Sequence, residues 1–190
     1  MFIYSKTIGT QNKGDYIMKN LDLFFERAMI DVEEAGIVPG NIVKVEINTR
    51  AKSRWGQAKY EKYSYDWNKC KYSINISSVL LDEHTPDYGL EETLIHEILH
   101  TCENCMDHKK TWNKYVDIMN KKYGYHIKRT DSPEDKGIDS KSEFYLKSAY
   151  KYRLTCKQCG KVYYRNRLDY DVKYYSCNKC KGKLKLEILH

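Results

Sequence analysis

Residues 96–100 read His-Glu-Ile-Leu-His, and a third histidine, His108, follows after seven intervening residues. On a helix, side chains four apart share a face, so His96 and His100 can grip one ion. Glu97 is turned about 100° from His96, near that ion without binding it. That is the place for a general base acting on a zinc-bound water. Zinc lowers the pKa of such a water toward roughly 7, and the carboxylate passes the proton on to a leaving amine. The chemistry keeps one coordination position open, so three protein ligands are wanted. The competing reading is two satisfied core histidines one turn apart. An apolar-periodic helix that carries all three fixed letters, with a further histidine behind it, argues for the metal.

The third ligand has several candidates. A metzincin would continue His-x-x-Gly-x-x-His, but Glu103 and Met106 stand at those places, so that class is excluded. A deformylase-like site needs a cysteine in a different setting from the Asn-Lys-Cys-Lys-Tyr around Cys70. His108 remains, with Cys102, Cys105 and Asp107 as rivals within reach. A thiolate would donate more charge and leave the zinc a poorer Lewis acid, so His108 is the better catalytic choice. Cys102 and Cys105 form a Cys-x-x-Cys, read here as small packing residues of a loop.

A second set of donors lies further on. Cys156, Cys159, Cys177 and Cys180 make C-x2-C-x17-C-x2-C. Each short knuckle aims two thiolates at one ion, and four thiolates close a tetrahedral site with no room for substrate. This second zinc is therefore structural. About forty residues cannot fold on an apolar core alone, so metal binding supplies the folding free energy. Gly160 and Gly182 are expected to give the knuckles their turns. The stretch between the knuckles reads as a hairpin. Arg165, Arg167 and Lys173 interleaved with Tyr164 and Tyr174 could neutralise phosphates and stack on bases, or else form a thin core with a solvated face.

These residues need elements to hold them. Ile17, Leu21, Phe24, Phe25, Met29 and Val32 recur at helical spacing over 15–36. Alternation over Asn41–Arg50 predicts a strand, and two more strands with an aromatic loop between them follow over 54–81. From Tyr88 the helical period returns with Leu90, Leu94, Ile95, Ile98 and Leu99, and another helix covers roughly 110–122. Residues 131–149 are polar, with no apolar rhythm, and read as a linker. The expected organisation is an α+β domain over 15–130, the linker, and a basic four-cysteine zinc ribbon over 150–190.

Charge and composition narrow the partners. Of the 190 residues 41% are hydrophobic and 31% charged, which does not suggest general disorder. Tyr150–His190 carries eleven Lys/Arg against three Asp/Glu, a net of +8, while the first 149 residues carry 22 against 23, a net of −1. A polyanion is the natural partner of such a piece. No run of eighteen apolar residues is present, and the start lacks the features of a secretory signal, so no membrane is expected and a cytoplasmic location is. There, seven cysteines point to metal ligands or free thiols rather than disulfides. No feature calls for a nucleotide cofactor.

Taken together, the chain resembles the SprT-like zinc metallopeptidases, the family that includes the Spartan proteases. The resemblance spans about residues 15–185. It rests on His-Glu-Ile-Leu-His, on His108 with Trp112 behind it, on Ser53-Arg-Trp-Gly-Gln57, on the Tyr-Gly-Tyr-His-Ile-Lys-Arg stretch at 123–129, and on the cysteine ribbon. It implies a small zincin domain with His96, His100 and His108 on a catalytic zinc and Glu97 as base. It also implies proteolysis of DNA-associated proteins, DNA–protein crosslinks included, with the ribbon on DNA; if DNA-bound, the cytoplasmic enzyme is expected to be nucleoid-associated. Two departures stand out. Lys109 replaces a glycine common after the third histidine, and His126 replaces an asparagine and becomes an alternative ligand. A substrate strand is expected along an edge near Tyr72–Leu81. The alternatives are a non-catalytic nucleic-acid-binding module with the first zinc closed by Cys102 or Cys105, and a peptidase indifferent to DNA.

Overall fold

Asn20 starts the first helix by accepting a hydrogen bond from Leu23 N–H at 3.2 Å, the usual N-cap arrangement. This helix, α1 (Leu21–Glu34), buries Leu21, Phe24, Phe25, Ala28 and Val32, a stripe at three- and four-residue spacing. It is shorter than the 15–36 expected, because the Asn20 cap fixes its start and Met18 is instead bridged to Asp82. The computed structural model describes residues 18–51 and 54–189, so Ile17 and Ser53 lie outside the described residues.

Strand β1 (Ile42–Asn48) runs parallel to β3 (Lys71–Ser77), and β2 (Gly56–Lys62) pairs antiparallel on the other side of β3. The order is therefore β1-β3-β2. This corrects the expected substrate edge: β3 is the central strand, with Tyr72, Ser73, Ile74, Ile76 and Ser77 buried, and its ladder hydrogen bonds are taken on both sides. The edge strand on the side of the histidines is β2.

Helix α2 (Asp87–Thr101) carries the His-Glu-Ile-Leu-His segment across this sheet, against β2 and β3, with α1 alongside. Leu90, Leu94, Ile95, Ile98 and Leu99 are all fully buried. At about 1.5–3 kcal/mol for each such side chain, this helix is held by its core contacts. Helix α3 (Lys110–Tyr123) follows and turns Trp112, Val116 and Met119 inward. The result is the α+β arrangement expected.

Residues 131–149 are not a free linker. A 3-10 turn at Glu134–Lys136 lies against α2, Lys136 and Ile138 are buried, and Phe144 and Tyr145 of α4 (Glu143–Ala149) pack on the main core. The polar composition concealed this, because the segment docks through one lysine and a few spaced apolar residues rather than a periodic face.

The C-terminal unit is a three-stranded antiparallel sheet, β5-β4-β6, from β4 (Tyr152–Cys156), β5 (Val162–Arg165) and β6 (Leu184–Ile188). The hairpin expected between the knuckles is absent. β5 pairs backward with β4, and Val172–Tyr174 forms a 3-10 turn. The Asp171 side chain accepts from Lys173 N–H at 3.0 Å and favours the turn over a strand. In the second knuckle the positive φ falls on Lys181 (61°) rather than on Gly182, whereas Gly160 takes it (70°) in the first.

Candidate metal centre and active site

Two groups among the described residues can hold a metal ion: His96, His100 and His108, and the four ribbon cysteines. In the first, the Nε2 atoms of the three imidazoles lie 3.1–3.2 Å from one another. Nitrogens about 2.0–2.1 Å from a tetrahedral ion stand roughly 3.3 Å apart, so the cluster fits a zinc-sized ion. For the two on the helix, the outward nitrogens explain why they aim inward. His96 Nδ1 is 3.1 Å from the Lys128 carbonyl and His100 Nδ1 is 2.7 Å from the Cys105 carbonyl. An acceptor at Nδ1 fixes the proton there and leaves the Nε2 lone pair free for a metal. Burial and the neighbouring imidazoles hold His96 down to about 3, and burial lowers His100 and His108 as well. All three are therefore neutral and able to ligate at neutral pH.

Trp112 is the floor under the cluster. Its ring stacks on His100 at 5.4 Å with a 19° tilt, and meets His96 and His108 edge-on at 4.8 and 4.5 Å. The tryptophan behind His108 is thus the packing surface for all three ligands.

Glu97 is buried beside them. Its Oε2 accepts from Ala58 N–H on β2 at 2.7 Å. Gly56 accounts for the Arg-Trp-Gly segment: a Cβ there would lie 2.6 Å from Glu97 Cγ and Oε1, so any other residue would push the carboxylate aside. Trp55 anchors the same segment through Nε1–H to the Asp131 carbonyl at 3.1 Å. Burial pushes Glu97 up to about 7, against the opposing effects of the Ala58 N–H, Arg54 and Lys136. A carboxylate of that affinity can both take and return a proton near neutrality.

A cavity of about 340 Å³ opens over the cluster, with Arg54, Ala58 and Arg129 on its walls. Beyond Met106 lies a second hollow of about 650 Å³, lined by Tyr60, Tyr63 and Trp67. The aromatic loop of 60–67 thus extends the cleft past the end of β2, a role its sequence did not signal.

The rival ligands are placed elsewhere. Cys102 and Cys105 are buried in the core and stand outside the imidazole cluster, and burial pushes their thiols up to about 12 and about 11. Asp107 pairs with Lys109 at 2.6 Å. His126 points away, its Nδ1 3.8 Å from Glu92. Lys109 needs no glycine, because its backbone is extended (φ −89°, ψ −164°).

In the ribbon, Cys156 and Cys180 Sγ are 3.4 Å apart, and Cys159 and Cys177 Sγ 3.6 Å. Sulfurs about 2.3 Å from a tetrahedral zinc stand roughly 3.8 Å apart, so this set also fits. Tyr163 hydroxyl lies 3.1 Å from Cys177 Sγ and lowers that thiol to about 6, which favours the thiolate a metal needs. Four of the five candidate nucleic-acid residues are exposed. Arg165 is exposed at the end of β5, Arg167 is paired with exposed Asp169, and Lys173 lies over the exposed Tyr174 ring at 5.0 Å. Tyr164 is half-buried against Tyr150 instead.

An α+β domain with three helix- and loop-borne imidazoles beside a braced carboxylate is a metallopeptidase-like arrangement. Comparison with protein families matches residues 17–131 to the SprT-like family, and the chain belongs to it. No protein of curated function matches the chain.

Proposed function

We propose that the protein is a zinc-dependent endopeptidase acting on proteins associated with DNA. One observation carries the reading. Three Nε2 atoms converge at 3.1–3.2 Å beside a buried carboxylate, under a cavity open to solvent. His96, His100 and His108 would hold the catalytic zinc, and the four ribbon cysteines a structural one. When bound, the catalytic ion supplies Lewis acidity to a water and to the scissile carbonyl.

The chain's own residues do the rest. Glu97, held at Oε2 by Ala58 N–H, keeps Oε1 to take the proton of the attacking water. It then delivers that proton to the nitrogen of the departing amine. Edge strand β2 offers backbone groups to an extended substrate, which gives binding with little dependence on side chains. Arg54 and Arg129 on the cavity wall favour the negative charge that develops on the carbonyl oxygen. Support for DNA is electrostatic: the ribbon segment's net +8, with exposed Arg165 and Tyr174. Such a segment concentrates the enzyme where protein and DNA coincide, and that binding weakens steeply with salt.

The test is cleavage of a DNA-bound protein, with and without single-stranded DNA, by the wild type and Glu97→Gln. Cleavage that needs both Glu97 and DNA supports the reading. Equal rates for the two proteins would overturn the mechanism. Equal cleavage of a free unfolded protein without DNA would leave a general peptidase.

A further inference from the structure

Lys136 is buried to 1% exposure in a segment whose composition reads as linker, and it lies five residues beyond the end of the family match. Its Nζ is 2.8 Å from Asp131 Oδ2 and 3.6 Å from Glu92 Oε2, both carboxylates themselves at least nine-tenths buried. Neither contact is an aligned hydrogen bond, so charge holds the ammonium in place. An ion trio of this kind is costly to desolvate, and losing one member destabilises the fold. Hydrophobic residues would stabilise the same space as well. The placement therefore calls for a reason other than stability.

The reason lies in what the trio ties together. Glu92 sits one helical turn before His96 on α2, and its Oε1 accepts from His126 N–H at 2.8 Å. Asp131 is gripped by Lys136, and its carbonyl accepts from Trp55 Nε1–H. The stretch 126–131 is thus fastened to α2 at its start by Glu92, and at its end to Trp55 and to Lys136, which itself reaches Glu92. Between those ends is Lys128, whose carbonyl faces His96 Nδ1. Gly89 lets the strap lie this close, since a Cβ there would stand 2.9 Å from the Lys136 carbonyl.

We propose that Glu92, Lys136 and Asp131 form a positioning clamp for His96: they pin the 126–131 segment on α2 so that the Lys128 carbonyl holds Nδ1–H and Nε2 faces the metal. They are not metal ligands, and their hold on His96 runs through the Lys128 carbonyl. This rests on the metal-centre reading above but not on the choice of substrate. It assigns residues beyond 131 to the working unit.

His100 provides an internal control, because its Nδ1 is held by the Cys105 carbonyl, outside the 126–131 stretch. The experiment is imidazole nitrogen NMR of the full-length, zinc-loaded protein, with chelator competition for the histidine-bound ion. In Lys136→Met, the slowly exchanging Nδ1–H of His96 should be lost and that of His100 kept. Affinity at the histidine site should fall about 10- to 100-fold, the usual effect of removing an outer partner of a metal ligand. The ribbon zinc should be unchanged. Retention of the His96 proton with affinity within about twofold of wild type, or loss of both ring protons together, would overturn the clamp. Should Lys136→Met fail to fold, Asp131→Asn preserves the shape and the Glu92 contact, and the same two readouts decide. A wild type that takes up no zinc at the three histidines removes both this inference and the proposed function. Uptake with an unaffected His96 removes the clamp alone.

Discussion

His96 and His100 stand on a helix whose five large aliphatic side chains are fully buried, and Trp112 braces both from below. The ribbon cysteines stand at a strand end and on turns of a small sheet in which Leu154 is the sole buried aliphatic among the described residues from 150 onward. The imidazoles are thus arranged by a core that exists without the ion, whereas the thiolates are themselves the core. The first site should therefore empty and refill within an intact fold, and the second should not, because there an ion would do the work that apolar area does elsewhere. On the proposed reading, the same element would serve as a reagent in one region and as a structural member in the other.

Removing metal tests this most severely. Chelation should unfold the ribbon, since structural zinc of this kind contributes on the order of 10–16 kcal/mol. The α+β domain should keep its far-ultraviolet circular dichroism and its cooperative thermal transition. Collapse of both together would break the distinction. Glu97→Gln comes next: cleavage should fall by about 10²–10⁴, with zinc content at both sites and melting temperature preserved. Zinc loss in that variant would mean that the carboxylate is a ligand after all. Trp112→Ala should cost about 3–5 kcal/mol in denaturant unfolding and make the first site depend on its ion. Trp112→Phe should cost less, because it keeps the stacked ring and removes an indole N–H that has no partner. At the weak end, Arg165→Ala should lower the salt dependence of DNA binding by about one unit of log–log slope, while peptide cleavage in the absence of DNA stays as it was.

Spacing made much of this visible beforehand. His96, Glu97 and His100 follow from the period of a helix, and the four cysteines from the geometry of a knuckle. The apolar rhythm located α1, α2 and α3, and alternation located the first sheet. What stayed hidden depends on single long-range contacts. Nothing in the order of residues says that Gly56 makes room for Glu97, or that Ala58 N–H braces it. The 131–149 stretch looked like a tether because its docking relies on the charge of Lys136 and on isolated Ile138 and Phe144, which form no pattern. In the ribbon, interleaved cations and tyrosines read as a hairpin where Asp171 caps a tight turn. Long-range polar contacts carry no period, and a period was the signal available.

His108 differs from its two companions in its support. It rides a loop rather than a helix, flanked by the Asp107–Lys109 ion pair and tethered by Asn113 Nδ2, which donates to its carbonyl at 3.0 Å. Filling and emptying of the centre should therefore have an order. An arriving ion should meet the helix-borne pair of seats first, and the loop-borne imidazole should close on it last and let go first on the way out.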